Sequence, residues 1–526
     1  MGTNAVTTPV DVTAGSSPFP FRVGCVDMGS NAIRVLVAQF DDDRDFKILA
    51  SERHAVRLGH GVYLSGRLNP TAMDAAVDAL TSFRGLLDRH GVAEWRCVAT
   101  SAVRESRNGG ELIERIRERT GLELDVISGS EEARLVHLAV ARRVPLGDRQ
   151  WLLADLGGGS VEVSLVDQNG TFWSESHTMG SVRLLEELTD AGGDPGRFRR
   201  MLEEYVSVLR VPSAAAHREI AGYIATGGNI ETLAKLGGYR SEGGVTTLSL
   251  ETLRTVIEQL ARLSYRQRVD ELGLREDRAD VILPAALVYA RIAELTGADE
   301  IIVPHVGIKE GVIHDLAARR SEGDDHRDRE ERDVRAGSVT LGRKYLFDEA
   351  HARHVSALAL SIFDQTRTLH RLDPADRKIL QAAALLHDIG QFVSYKRHHK
   401  HSLYLISHSE LPTFTEGEMR LVGNVARYHR KGEPAPHHPD FAGLGAADQD
   451  RVVRLSAILR LADALDREHL QRVRRTVVRA FDGQLELWLD GAGELLLEGW
   501  SMKKKAQLFQ RVFDCKVKLR FIGDEP

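Results

Sequence analysis

Cysteine is scarce in this chain. There are three, Cys25, Cys97 and Cys515, in 526 residues, far apart and with no CxxC pair. They cannot build a disulfide scaffold, and a reducing cytoplasm is the compartment such usage predicts. Long apolar runs are missing too: none approaches the roughly 20 residues needed to cross a bilayer, which argues against a membrane-spanning class. Neither sign of charge dominates, with 70 Lys and Arg against 76 Asp and Glu and a net charge of −6. That balance supplies no global basic field for nucleic acid or an anionic membrane, so neither is expected as a partner. An anionic substrate would have to be held by local clusters of Arg and Lys. The first twenty residues, MGTNAVTTPVDVTAGSSPFP, lack both a basic start and an apolar core. They read as a disordered tail and not as a signal peptide.

What is present is an ordinary globular composition, 42% hydrophobic and 28% charged, in a chain too long for one core. Short apolar runs at Arg22 to Asp27, Ile33 to Phe40 and Phe46 to Val56 predict three successive strands joined by tight turns. From Trp151 the layout repeats. WLLADLGGGSVEVSLVDQNGTFWSESHTMGSVRL follows the plan of VGCVDMGSNAIRVLVAQFDDDRDFKILASERHAVRL, with Asp155 standing 128 residues after Asp27. A repeat unit this long is a whole α/β domain and not a solenoid module. The expected order is a tail over 1–20, α/β domains over 21–145 and 146–320, and a charged linker over 321–338. An all-helical domain over 339–470 and a small α+β domain over 471–526 complete it. In that last part QLELWLD, ELLLEGW and KVKLRF are candidate strands.

The two glycine turns carry the first chemical signal. Asp27-Met28-Gly29-Ser30-Asn31 and Asp155-Leu156-Gly157-Gly158-Gly159-Ser160 each follow an apolar strand. Glycine lets backbone N–H groups approach an anion, and successive N–H groups form a concave nest for phosphate oxygens. An Asp beside a phosphate needs a metal or a water to orient, since two anions otherwise repel. One such turn is an ordinary β-turn; two related copies at matched places point to a shared ligand. A third anion site is Thr226-Gly227-Gly228-Asn229, where a strand gives way to a helix N-terminus.

With VDMGSNAIR, TSAVRES, ISGSEEARL, DLGGGSVE and ATGGN in hand, the chain resembles the exopolyphosphatase and guanosine pentaphosphate phosphohydrolase family. That family lies within the superfamily of actin, sugar kinases and heat-shock chaperones. The resemblance spans about Arg22 to Leu316, and the helical half more loosely. It implies two duplicated actin-like domains and hydrolysis of a terminal phosphoanhydride. The substrate would be inorganic polyphosphate, with guanosine pentaphosphate as the close second. It also implies a catalytic carboxylate at Glu132, in a helix that Ser130 would cap, and a phosphate clamp at Arg104. Mg²⁺, or a similar hard ion such as Mn²⁺, would sit on Asp155 and Glu162. Phosphates would be held by Asp27, Gly29, Ser30, Asn31, Gly157, Gly158, Gly159, Ser160, Thr226, Gly227 and Gly228. Homodimers are expected on the same ground. Ala32 and Val161 depart from the pattern where hydroxyl residues are common, as does Asn229 where Thr or Ser is. An ATP-dependent kinase would need an adenosine-binding segment and an aspartate in place of Glu132; neither is visible.

The helical half is rich in histidine: 11 of the 21 lie between His351 and His438. LLHDIG sets His387 beside Asp388 and resembles the HD phosphohydrolase signature, which binds metal through such a pair. The further ligands that this resemblance implies are His354, His401, His429 and Asp463. An HD-type enzyme with a sensory front half is therefore a competing reading, as is a phosphate sensor with no turnover. Lys396, Arg397, Lys400, Lys503, Lys504 and Lys505 form a basic set that could steer a polyanion.

Overall fold

The computed structural model describes residues 19–42, 45–189, 195–210, 220–237, 239–240, 244–321, 323–430, 432–481, 483–491 and 495–521. Residues 1–18 of the expected tail lie outside them.

The first sheet contains β1 (Phe21–Met28), β2 (Ile33–Phe40), β3 (Phe46–His54), β4 (Glu94–Ala99) and β5 (Leu124–Val126), in the order β3-β2-β1-β4-β5. The second contains β6 (Gln150–Leu156), β7 (Val161–Val166), β8 (Thr171–His177), β9 (Ile220–Thr226), β10 (Tyr239–Arg240), β11 (Thr246–Ser249) and β12 (Glu300–Val303). Its order, β10-β11-β12-β9-β6-β7-β8, contains the first sheet's order in β8-β7-β6-β9-β12. In both, a hairpin meander is extended by parallel strands, β1 with β4 and β6 with β9. The duplication read from the sequence is thus a duplication of topology. Central strands β6 and β7 are buried along almost their whole length. That burial is what continuous apolar runs in a sheet covered on both faces require.

The two sheets are tied together by two helices. Helix Gly129–Arg143 leaves the first sheet, and helix Ile308–Ser321 returns from the second. The returning helix packs Val312, Ile313 and Leu316 onto Val23, Cys25 and Leu36 of β1 and β2.

Residues 321–338, expected as a charged linker, fall mostly within helix Gly323–Lys344. Val334 and Val339 are buried in the core of the helical part, which gives that polar helix an anchored face. The C-terminal sheet, β13 (Val473–Phe481), β14 (Gln484–Gly491) and β15 (Lys516–Phe521), shares this core through Leu485, Leu487 and Leu489. ELLLEGW, expected as a strand, instead opens helix Leu496–Phe513, whose Met502, Ala506 and Phe509 recur at helical spacing inside that core. Among the described residues no helix is long and apolar enough to cross a membrane.

Candidate active site

The two glycine turns face each other. The Gly29 N–H donates to the Ala32 carbonyl at 3.2 Å and the Gly157 N–H to the Ser160 carbonyl at 3.0 Å, so both close the same way. These two amides are spent inside their turns and do not serve an anion. The carbonyls of Gly157, Gly158 and Gly159 accept from Ser181, Val182 and Gly180, at the start of helix Ser181–Thr189. Because a trans peptide points its N–H opposite to its carbonyl, the amides of Gly158, Gly159 and Ser160 are turned away from that helix. The turns also touch. A Cβ on Gly158 would lie 2.8 Å from the Ser30 Cβ, and one on Gly159 would lie 2.1 Å from the Tyr63 hydroxyl oxygen. Only glycine permits this approach. The Ser30 hydroxyl is 2.7 Å from the Tyr63 hydroxyl and 3.1 Å from that of Ser101. Asn31 reaches across to donate to the Asp277 carbonyl at 2.8 Å.

Strand register then separates the two copies chemically. In β1–β2, Asp27 stands opposite Arg34; in β6–β7, Asp155 stands opposite Glu162. The first pair is self-neutralising, with the Arg34 guanidinium 3.1 Å from Asp27. The second sets two buried carboxylates side by side. Thr226 donates to Asp155 at 2.7 Å and Ser176 to Glu162 at 2.9 Å. Neither donor carries a full charge. Burial, opposed by the Thr226 bond but aided by the Asp27 charge, pushes the Asp155 carboxyl up to about 6. Burial and the Asp155 charge, against a Ser160 bond, push Glu162 up to about 7. Glu162 Oε2 is buried with no hydrogen-bond partner. These groups fit a hard divalent cation, which needs few protein carboxylates and takes its other ligands from water and substrate.

Two adjacent glutamates open helix Gly129–Arg143, and their surroundings assign them different work. The cap is Ser128, whose hydroxyl accepts from the Glu131 N–H at 3.2 Å; Ser130, expected in that role, lies inside the helix. Glu131 is gripped in two-point fashion by Arg134 at 2.8 and 2.9 Å and by Arg96 at 3.1 Å. Burial alone would raise it, but Arg134 and Arg96 hold it down at about 2. It is a fixed structural anion. Glu132 has one cationic partner, Arg104, whose Nη1 bonds its Oε1 at 2.7 Å and the Ile127 carbonyl at 2.7 Å. Burial first and the Glu162 charge second raise Glu132 well above the usual carboxylate range. Arg104, expected as a phosphate clamp, is therefore engaged in holding Glu132.

A cleft of about 310 Å³ runs between the lobes and is lined by Gly29, Ser30, Glu132, Asp155, Gly157 and Gly158. Gly227, Gly228, Arg34, Arg53 and Arg278 line it too, with Arg34 paired to Asp27 and Arg53 to Asp277. Gly159, Ser160, Thr226 and Glu162 do not line the cleft; Glu162 stands opposite Asp155, which does. Arg278 is the unexpected member. Its side chain is buried, its Nη1 bonds Asn229, and its Nε has no partner. Burial, with the Arg34 charge next, lowers its pKa to about 10. It therefore keeps its charge near neutral pH, and among the described residues it forms no ion pair with a carboxylate. The sequence offered one signal for part of this set: Arg34 follows Asp27 by the same seven residues that separate Glu162 from Asp155. Nothing local marked Arg278.

In the helical part, His387, Asp388, His429 and Asp463 do converge, but with His351 and His398 in place of His354 and His401. His351 turns toward Asp466, its Nδ1 2.8 Å away, whereas His354 lies one turn further along the same helix. Lys505, counted with the surface lysines, points inward and pairs with Asp463.

Two lobes of one topology, with opposed glycine turns and buried carboxylates between them, define an actin-like phosphohydrolase architecture. The chain belongs to the Ppx/GppA phosphatase family, whose model matches residues 36–320, while the model of that family's domain III matches residues 334–498. It is 27% identical over 485 residues to a guanosine-5'-triphosphate,3'-diphosphate pyrophosphatase of Vibrio cholerae, covering 91% of this chain and 93% of that one. A protein of the same description from Vibrio vulnificus is 26% identical over 452 residues, covering 85% and 88%. Among solved structures, an exopolyphosphatase from Cytophaga hutchinsonii is 31% identical with a TM-score of 0.52, covering 57% of this chain and 98% of that one.

Proposed function

We propose that this phosphatase releases orthophosphate from the end of inorganic polyphosphate, through water oriented by Glu132. One observation carries the reading: a single cleft brings the buried Asp155 carboxylate, with Glu162 beside it, together with Arg278, a buried guanidinium with no ion pair among the described residues. The first calls for a cation, the second for an anion, and a polyphosphate chain carrying a divalent ion satisfies both. Phosphoryl transfer is mostly positioning and charge stabilisation, which such a cleft can supply. When bound on Asp155 and Glu162, Mg²⁺ or Mn²⁺ would neutralise charge on the terminal phosphoryl group. Glu132, fixed by Arg104, holds the water in line and takes its proton. Its raised affinity for protons makes it a better base near neutrality than an ordinary carboxylate. The Gly158 amide receives a phosphate oxygen, and Arg278, with Arg34 and Arg53 beside it, holds the chain behind the scissile bond.

A second reading, removal of the terminal phosphate of guanosine pentaphosphate, is favoured by the Vibrio relatives, whose match runs nearly end to end. Phosphate release from the purified protein decides between them. We expect kcat/KM on long-chain polyphosphate to exceed that on guanosine pentaphosphate by at least about tenfold. Turnover of the guanosine compound alone would reverse the order.

The carboxylate pair also predicts a pH signature. In the cation-free protein, Asp155 and Glu162 keep protons up to about 6 and 7, where unfolded carboxyls have already lost theirs. Folding stability from this pair therefore declines as pH rises from about 4.5 to about 7. A divalent cation replaces those protons. The rise in melting temperature on adding Mg²⁺ should be near zero at about pH 5 and grow steadily to about pH 8. A Mg²⁺ effect independent of pH, or one kept in full by Glu162→Gln, would contradict the assignment.

A further inference from the structure

The helical part reaches back to the helix that carries Glu132. A loop joins helix His398–Ser407 to helix Glu416–Arg427, and its apolar and polar residues divide the work. Leu411 and Phe414 are buried in the core of the helical part. The Lys378 ammonium donates to the Thr413 carbonyl at 2.8 Å and lies 5.1 Å from the centre of the Phe414 ring. Anchored in this way, the loop presents Glu410 and Thr413, the residue before each anchor, to the start of helix Gly129–Arg143.

Two bonds join the parts there. The Ser130 N–H donates to Glu410 Oε2 at 3.1 Å, and the Thr413 N–H donates to Glu131 Oε2 at 3.0 Å. Thr413 holds a left-handed backbone, with φ of 69°. A β-branched residue keeps such a conformation only where its surroundings fix it.

The bond to Ser130 matters most, because an α-helix leaves its first N–H groups without partners of its own. Ser128 serves two of them: its hydroxyl accepts from the Glu131 N–H and its carbonyl from the Glu132 N–H at 3.0 Å. The Ser130 N–H is completed from 280 residues away. Glu410 is exposed, and among the described residues its carboxylate makes no other hydrogen bond and no ion pair. Its negative charge suits a helix N-terminus. The second sheet presses on the same turn, where a Cβ on Gly129 would lie 2.9 Å from that of Ser176. The turn is therefore held from the lobes and from the helical part together. The field of Glu410 also reaches the partner of Glu132. Burial opposes the Arg104 charge, but Glu132, Glu162 and then Glu410 outweigh it and raise its pKa.

We propose that Glu410 is a positioning residue for the reaction, fixing the first turn of helix Gly129–Arg143 so that Glu132 holds its water in line. The helical part is then a working part of the phosphate cleft. Glu410 does not line that cleft; it acts through the backbone two residues before Glu132. The inference rests on the reading of Glu132 as the group that orients water.

The test is steady-state phosphate release by the full chain, on whichever of the two candidate substrates turns over faster. Glu410 is exposed, so its variants keep the fold. We expect Glu410→Ala to lower kcat by about tenfold and to leave KM within about twofold. Glu410→Gln keeps a carbonyl oxygen for the Ser130 N–H and should retain about half of the parent kcat or more. In a Glu132→Gln background, Glu410→Ala should change the residual rate by less than about twofold, since the group it positions is gone. Parent-like kcat in Glu410→Ala, a loss that Glu410→Gln does not repair, or an equal loss in both backgrounds overturns the proposal. Parent-like turnover in Glu132→Gln alone overturns instead the reading of Glu132 beneath it.

Discussion

Replacing Glu132 by glutamine should cut turnover by about 10³-fold while leaving substrate affinity within about threefold. Glutamine keeps the shape of the side chain and a carbonyl oxygen for the Arg104 guanidinium, 2.7 Å away in the parent. What it removes is the proton acceptor. Burial and Glu162 already burden the ionised form of Glu132, with Arg104 as its one strong counterweight. The substitution should therefore also raise the melting temperature of the cation-free protein, by about 2 °C or more. Lower activity joined to higher stability is the mark of a carboxylate kept for chemistry. The adjacent residue gives the opposite result. Glu131→Gln breaks a buried network with Arg134 and Arg96 and should destabilise by about 3 kcal/mol or more. Steady-state kinetics and thermal melts of the two variants settle the matter, and a Glu132→Gln enzyme with near-normal kcat would remove the central base from the account.

The sequence made some of this visible and hid the rest for physical reasons. The paired turns were legible because a duplicated strand–turn–strand leaves the same letters twice. The chemical asymmetry between the copies, Arg34 against Glu162, was written at the same offset but takes on meaning only when the register sets each opposite its Asp. Errors of one helical turn arose in the helical part. His351 and His354 lie on one helix, as do His398 and His401, and periodicity cannot say which face meets a metal when the facing helices are unknown. The Ser130 assignment failed similarly, since Ser128 and Ser130 are both good caps and only the observed bond to Glu131 selects the first. Charge misled in residues 321–338, where the buried Val334, with Val339 just beyond, outweighs a polar composition. Three consecutive leucines after Glu494 suggested a strand, but the spacing of Met502, Ala506 and Phe509 beyond them is that of a buried helix face. Arg278 could not have been found locally, because its isolation depends on Asn229, Arg34 and Arg53 arriving from distant segments.

The position of Glu132 depends on a residue nearly 180 places away, and Gly311→Ala should expose that dependence. Gly311 sits where helix Ile308–Ser321 crosses helix Gly129–Arg143, and a Cβ there would lie 1.9 Å from the Leu135 carbonyl oxygen and 2.5 Å from its carbon. The obstacle is backbone, so no side-chain rotation relieves it. Nor can helix Ile308–Ser321 retreat easily, because Val312, Ile313 and Leu316 hold it against β1 and β2. The helix bearing Glu132 must shift by about 1 Å or more, a displacement that costs about 10²-fold in rate when it misaligns a catalytic group. Overpacking of this kind should also destabilise by about 3 kcal/mol. Gly110→Ala is the matched control: it lies in helix Gly109–Thr120 with nothing within 4 Å of an added Cβ. There the better helix former should stabilise by about 0.5–1 kcal/mol and leave kcat unchanged. Melting curves and kinetics of the two alanine variants should therefore move in opposite directions from the parent. If Gly311→Ala instead behaves like its control, the two helices do not meet at this glycine, and the link from the returning helix to Glu132 is broken.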